Sequence, residues 1–143
     1  MKLLGYVALV IAVLVGGVTL FVSCGFMNRG VVRELLAEPN GEKAAKVMLM
    51  TLPSGKQLPV NYWRDPNEEA GTFVYAAADF PWWKELQGEG HRVTLWIRGA
   101  TYVGTGRAIL DEPEKRSRVF AQLRPTAPSF TGTMVEFRLD PPK

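Results

Sequence analysis

Two short stretches hold the residue types that could do chemistry. Ser54-Gly55-Lys56 separates two apolar runs. A Ser-Gly turn can aim successive backbone N–H groups at one point and so hold an anion, with the Lys56 cation beside it. The same three residues also make an ordinary hairpin turn. Pro81-Trp82-Trp83-Lys84-Glu85-Leu86 places paired tryptophans on a short helix. There they can wall a flat aromatic ligand, fill a core or meet a membrane interface.

Nucleophilic and metal chemistry find little material. His91 is the only histidine, and no second soft ligand stands near it in sequence, so it reads as a surface residue. Cys24 is the only cysteine, which excludes an intramolecular disulfide. The acidic pairs Glu68-Glu69 and Asp111-Glu112 fall in a loop and at a helix start, where solvated or capping roles are expected. Gly104-Thr105-Gly106 resembles half of a phosphate loop but lies inside a strand, the wrong context for one. No metal is expected.

These stretches sit behind a membrane signal. From Leu3 to Val22 the chain carries no charge, and at about 1.5 Å of rise per residue such a run matches the ~30 Å hydrocarbon core of a bilayer. A retained single-pass anchor is the expectation, with residues 3–22 as the membrane contact. A cleaved secretory signal is the rival, and lipid modification at Cys24, within Val22-Ser23-Cys24-Gly25, is a third reading. Arg29, Arg33, Lys43 and Lys46 after the run outnumber Lys2 before it, which favours a barrel on the cytosolic side. Basic and acidic residues number 17 and 14, a net charge of +3, so the strong field of a dedicated nucleic-acid binder is missing.

The organisation expected is an anchor over residues 1–26, a juxtamembrane helix and joint over 27–41, and one β domain over 42–143. Val32, Leu35 and Leu36 have helical spacing, and Pro39-Asn40-Gly41 ends that helix. Strands are expected at Lys46–Leu52, apolar on both faces, and at Gln57–Trp63, where Pro59 implies an edge or bulge. Further strands are expected at Thr72–Ala78, Arg92–Arg98, Thr101–Leu110 and Thr133–Leu139. In Arg92–Arg98, Val93, Leu95 and Ile97 share one face. Gly104 and Gly106 share a face that something must approach closely, unless the strand bends there.

Two short helices complete the pattern. Pro81 opens one with Asp79 as its cap and Gly88 as its close; Asp111 and Glu114 have capping-box spacing for the other, whose face is Arg116, Val119, Phe120 and Leu123. Its cationic face, with Lys115, Arg116, Arg118 and Arg124, reads as solvated or as a contact for anionic lipid. The connections are too short for repeated crossovers, so the fold class is mainly β: a small six-stranded antiparallel split β-barrel with two short helices, preceded by a transmembrane helix.

Val47–Leu52, Ser54-Gly55-Lys56, Pro59, Phe73–Ala78, Pro81-Trp82 through Leu86, Val93–Ile97 and the Gly99 turn together resemble the deazaflavin-dependent nitroreductase family over Lys46 to Phe137. The resemblance implies a split barrel of the flavin-binding type, a deazaflavin coenzyme or FMN in a groove, and hydride transfer to a quinone or nitro compound. It implies a cofactor site at Ser54, Gly55, Lys56, Ala77, Ala78, Trp82 and Trp83, with no catalytic side chain, and it leaves a homodimer open.

The chain also departs from that family. Leu52 and Pro53 stand where the family turn carries Arg and Lys, Leu58 where it carries a later Arg, and Glu85 where it carries Asn. Ala77-Ala78 replaces paired glycines. Two functions follow as expectations: a membrane-anchored reductase acting on a lipophilic acceptor such as a quinone, or a tethered barrel that serves as a lipid, ligand or protein interaction module.

Overall fold

The computed structural model describes residues 28–68, 72–126 and 132–141. Residues 3–22 and Cys24, on which the anchor and lipidation expectations fall, lie outside them. Among the described residues no helix is long and apolar enough to cross a membrane.

Helix α1 spans residues 28–37. After it come a 3-10 turn at Lys43–Ala45, strands β1 (Val47–Thr51), β2 (Gln57–Arg64) and β3 (Phe73–Ala78), and a 3-10 helix at Pro81–Leu86. Strands β4 (His91–Ile97) and β5 (Ala100–Ile109), helix α2 (Pro113–Leu123) and strand β6 (Thr133–Leu139) complete the chain. The strands form a closed antiparallel barrel in the order β1-β2-β3-β6-β5-β4. The mainly β class, the six strands and their antiparallel pairing agree with the sequence reading.

Strand alternation builds two cores. Inward-facing Met48, Met50, Val74, Ala76, Val93, Leu95, Ile97, Val135 and Phe137 fill the barrel. On the outer face, Val119 and Phe120 of α2 cover Tyr75, Ile109 and Met134. Apolar residues on both faces of β3 and β6 are thus explained by a helix on one side and the barrel interior on the other. The outer face of β1 is only half-buried, because α1 covers it incompletely.

Local turn chemistry closes the hairpins. Arg98 and Gly99 both have positive φ, 51° and 83°, the two-residue turn whose twist suits the β4–β5 hairpin. Two expected caps are not made. The 3-10 helix has Phe80 at its N-cap without a side-chain bond, because Asp79 faces Arg124 instead. Helix α2 starts after Glu112, also without a side-chain cap, so Asp111 and Glu114 form no capping box. Pro113 does occupy the first turn.

The barrel is not uniformly sewn. The β1–β2 hairpin joins its neighbours through three residue pairs on each side, whereas the other seams have five to seven. On the β3 side the ladder stops at Tyr62↔Ala76, although β2 remains paired with β1 down to Gln57↔Thr51. The lower half of β2 therefore stands apart from β3.

Opposite this opening the sheet is tightly closed. A Cβ on Gly104 would run into the backbone carbonyl of Arg138, whereas one on Gly106 would meet the Phe137 ring at 3.1 Å and Leu86 at 3.3 Å. The close approach expected at these glycines is thus the β6 backbone at one and a core side chain at the other. Gly104→Ala should destabilise the barrel by about 2 kcal/mol or more, since backbone must move, and Gly106→Ala by less, since a ring can shift. Urea unfolding of the two variants checks the order; equal costs would show that the β5–β6 seam gives way as easily as a side chain.

Candidate functional site

The Ser54-Gly55-Lys56 turn is built as an anion cradle, and an anion from the chain itself fills it. Gly55 has φ of +88°, and its N–H donates to the Leu52 carbonyl at 2.9 Å, closing the turn. The Ser54 N–H and hydroxyl donate to the two oxygens of the Glu85 carboxylate at 3.1 Å each. Charge-assisted bonds of this kind are worth about 1.5–3 kcal/mol when shielded, and less at an exposed turn such as this one. The Lys56 ammonium makes no ion pair among the described residues.

Glu85 reaches Ser54 because of the helix it stands on. Residues three apart eclipse in a 3-10 helix, so Trp82 and Glu85 line one side of Pro81–Leu86. Leu86, fully buried, fixes that helix to the barrel beside Gly106. The two tryptophans are partly buried against the barrel core.

A second feature lies at the opening between β2 and β3. A cleft of about 280 Å³ is lined by Pro59, Val60 and Asn61 from β2, by Ala77, Asp79, Phe80 and Trp82, and by Leu123 and Arg124 at the end of α2. Phe80 is 71% exposed, a large apolar ring on the rim. Arg124 donates to both Asp79 oxygens, at 3.1 and 2.9 Å, and its guanidinium lies 5.2 Å from the centre of the Phe120 ring. This fork ties the loop after β3 to α2 and, with Asn61, forms the polar part of the cleft beside its apolar and aromatic side chains.

The expected cofactor site is therefore divided. Ala77 and Trp82 meet in the cleft. Ala78 is 2% exposed and faces the barrel core, since neighbouring strand residues point to opposite faces. Trp83 packs on the core. Ser54 binds Glu85, and none of Ser54, Gly55 and Lys56 lines the cleft. Phe80, Asn61 and the Asp79–Arg124 pair were not singled out as site residues from the sequence. Asp79 and Arg124 carry no spacing signal, being 45 residues apart. Pro59 was a legible clue, as a proline marks a strand with an open edge.

Other polar groups have structural partners. His91 Nε2 donates to the Gln87 carbonyl at 2.9 Å. Among the described residues no group of three or more His, Cys, Asp or Glu could hold a metal ion. Lys115 pairs with Glu136 at 2.6 Å and lies 5.2 Å from the Tyr75 ring centre, so it belongs to the packing of α2 rather than to a solvated face. The Tyr75 hydroxyl donates to Glu68 at 3.0 and 3.1 Å, which gives the loop acid Glu68 a partner beyond solvent.

No protein-family model matches the chain, and no curated protein matches it.

Tyr75 makes the stability of this outer layer depend on pH. Burial, then the bond to Glu68, then the nearby Glu136 charge raise its pKa well above the ordinary value of 10. A raised folded-state pKa stabilises fully below the unfolded value and is lost as pH rises toward the folded one. Stability should therefore fall on raising the pH above about 10. Tyr75→Phe should cost about 1–2 kcal/mol at neutral pH and make the alkaline loss shallower. Thermal melts between neutral pH and pH ~11 check this; an unchanged alkaline limb in the variant would assign the dependence elsewhere.

Proposed function

We propose that this chain is a membrane-tethered barrel serving as a binding module for a small, largely uncharged aromatic molecule, held in the cleft between Trp82, Phe80 and the open edge of β2. The observation that carries the reading is the Glu85 carboxylate on Ser54. An incoming phosphate would have to displace it and forfeit both hydrogen bonds. The Leu52 side chain beside the turn is 3% exposed and belongs to the core. The cleft of about 280 Å³ falls just below the usual range of small-molecule sites, roughly 300–1,000 Å³, so the occupant must be small.

The residues present do not fit a phosphate-bearing deazaflavin or FMN. The cradle holds an internal acid, and Leu52, Pro53 and Leu58 offer no cation to a phosphate or to an acidic tail. An uncharged ring with polar edges suits the cleft better, since Asn61, Asp79 and Arg124 stand beside Trp82 and Phe80 in its lining. Its faces would stack against Trp82 and Phe80.

The sequence resemblance and the closed barrel support the second reading, an anchored reductase acting on a quinone. Both readings place a lipophilic ring near Trp82, and they part over the coenzyme. The tether follows from the uncharged run at 3–22, and the cytosolic side from the excess of Arg and Lys after it.

Titration of the full chain in detergent with a short-chain naphthoquinone, FMN and the deazaflavin coenzyme, followed by tryptophan fluorescence, separates them. The quinone should quench with a Kd below about 1 mM, whereas both coenzymes should stay above it. Trp82→Ala should weaken quinone binding by about tenfold, the loss of one aromatic contact. Micromolar binding of either coenzyme would overturn the module reading in favour of the reductase.

A further inference from the structure

We propose that the groove between α1 and the outer face of the β1–β2 hairpin seats an anionic phospholipid, its acyl chain on the apolar wall and its phosphate between Arg29 and Arg33. The inference rests on the membrane-tethered reading and uses a surface that shares only Pro59 with the Trp82 cleft.

The groove is a shallow, open one of about 460 Å³. Val32 and Leu36 of α1 form one wall, and Leu49 and Pro59, directly opposite each other in the β1–β2 ladder, form the other. Leu36 is 59% exposed, a cost that a covering acyl chain would remove. Leu35, on the neighbouring flank of the helix, is 1% exposed, so α1 is seated firmly while the groove beside it stays open.

Charge decides what kind of chain would lie there. Residues 29, 32, 33 and 36 share one helical face, so the two guanidinium groups and the two apolar side chains line the same groove. Neither Arg29 nor Arg33 makes an ion pair among the described residues. Two arginines one turn apart suit a phosphate, which guanidinium groups bind in a forked geometry. An apolar wall ending in a phosphate-binding pair has the chemistry of one lipid molecule.

Chain length puts this groove at the bilayer surface. Asn28 follows Val22, the end of the uncharged run, by six residues. At no more than ~3.6 Å per residue they lie within about 22 Å of each other, whatever path the chain takes. The headgroup layer outside the hydrocarbon is within that reach. Lys115 and Arg116 of α2, and Arg124 just after it, are by contrast engaged with Glu136, Gly132 and Asp79.

The test uses the full chain, reconstituted in bilayers of equal phosphatidylcholine and phosphatidylglycerol, extracted in mild detergent and weighed by native mass spectrometry. One phosphatidylglycerol should be retained per chain in preference to phosphatidylcholine. Arg29→Gln with Arg33→Gln should reduce that retention on the order of tenfold, and Arg118→Gln should leave it unchanged. Leu49→Asp, which spares both arginines, should also abolish it. A photo-reactive group in place of the Leu36 side chain should yield a lipid adduct. Equal retention by the double variant, or cross-linking of position 36 to residues 1–27 or to a second copy, overturns the proposal. Release of the chain from the bilayer by alkaline extraction overturns the tether and the groove's placement with it, whereas an inserted chain without lipid preference overturns the groove alone.

Discussion

The two hydrogen bonds from Ser54 to the Glu85 carboxylate are the interaction on which the site depends. The β1–β2 hairpin is held to the rest of the barrel by three residue pairs on each side, the shortest seams in the sheet. Its tip is tied down by Glu85, reaching from the 3-10 helix that Leu86 anchors in the core. The tie sets the spacing between the hairpin and that helix, and so the position of Trp82 over β2. It also takes the one backbone N–H and the hydroxyl with which the turn would otherwise hold an external anion. A single carboxylate thus supports the barrel's weakest joint and removes its most obvious phosphate site.

The rest of the barrel is closed by size rather than polarity. Phe137 fills the space left by Gly106, and the β6 backbone lies where a side chain on Gly104 would be. No buried polar side-chain atom among the described residues lacks a partner. With the interior filled, room for a ligand is found on the outer side of the β2–β3 seam, where the ladder stops early, and beneath α1. Each space adjoins Pro59, which cannot donate to a neighbouring strand.

Much of this was legible in the residue order. Alternation identified the inward faces of β4 and β6, the spaced glycines marked a crowded strand, and turn residues bounded the hairpins. What was not legible depended on contacts distant in sequence. Asp79 has the right type and place to cap a helix, yet Arg124, brought beside it by α2, offers a charged fork that a cap cannot match. Asp111 and Glu114 have capping-box spacing without the bonds. Ala77 and Ala78 look equivalent as a small pair, but strand geometry sends one to the cleft and one to the core. Glu85 was visible as a departure from a family pattern. Its role became clear only when the fold brought it to a turn 31 residues away.

The central claim is that Glu85 occupies the anion seat of the Ser54 turn. It is tested most directly by the ¹⁵N–¹H resonance of the Ser54 amide, followed as inorganic phosphate is added to the wild-type protein and to Glu85→Ala. The account predicts a Ser54 signal that phosphate leaves in place in the wild type and moves, saturably, in the variant. A saturable shift of Ser54 in the wild type, at the same phosphate concentration as in the variant, would contradict it.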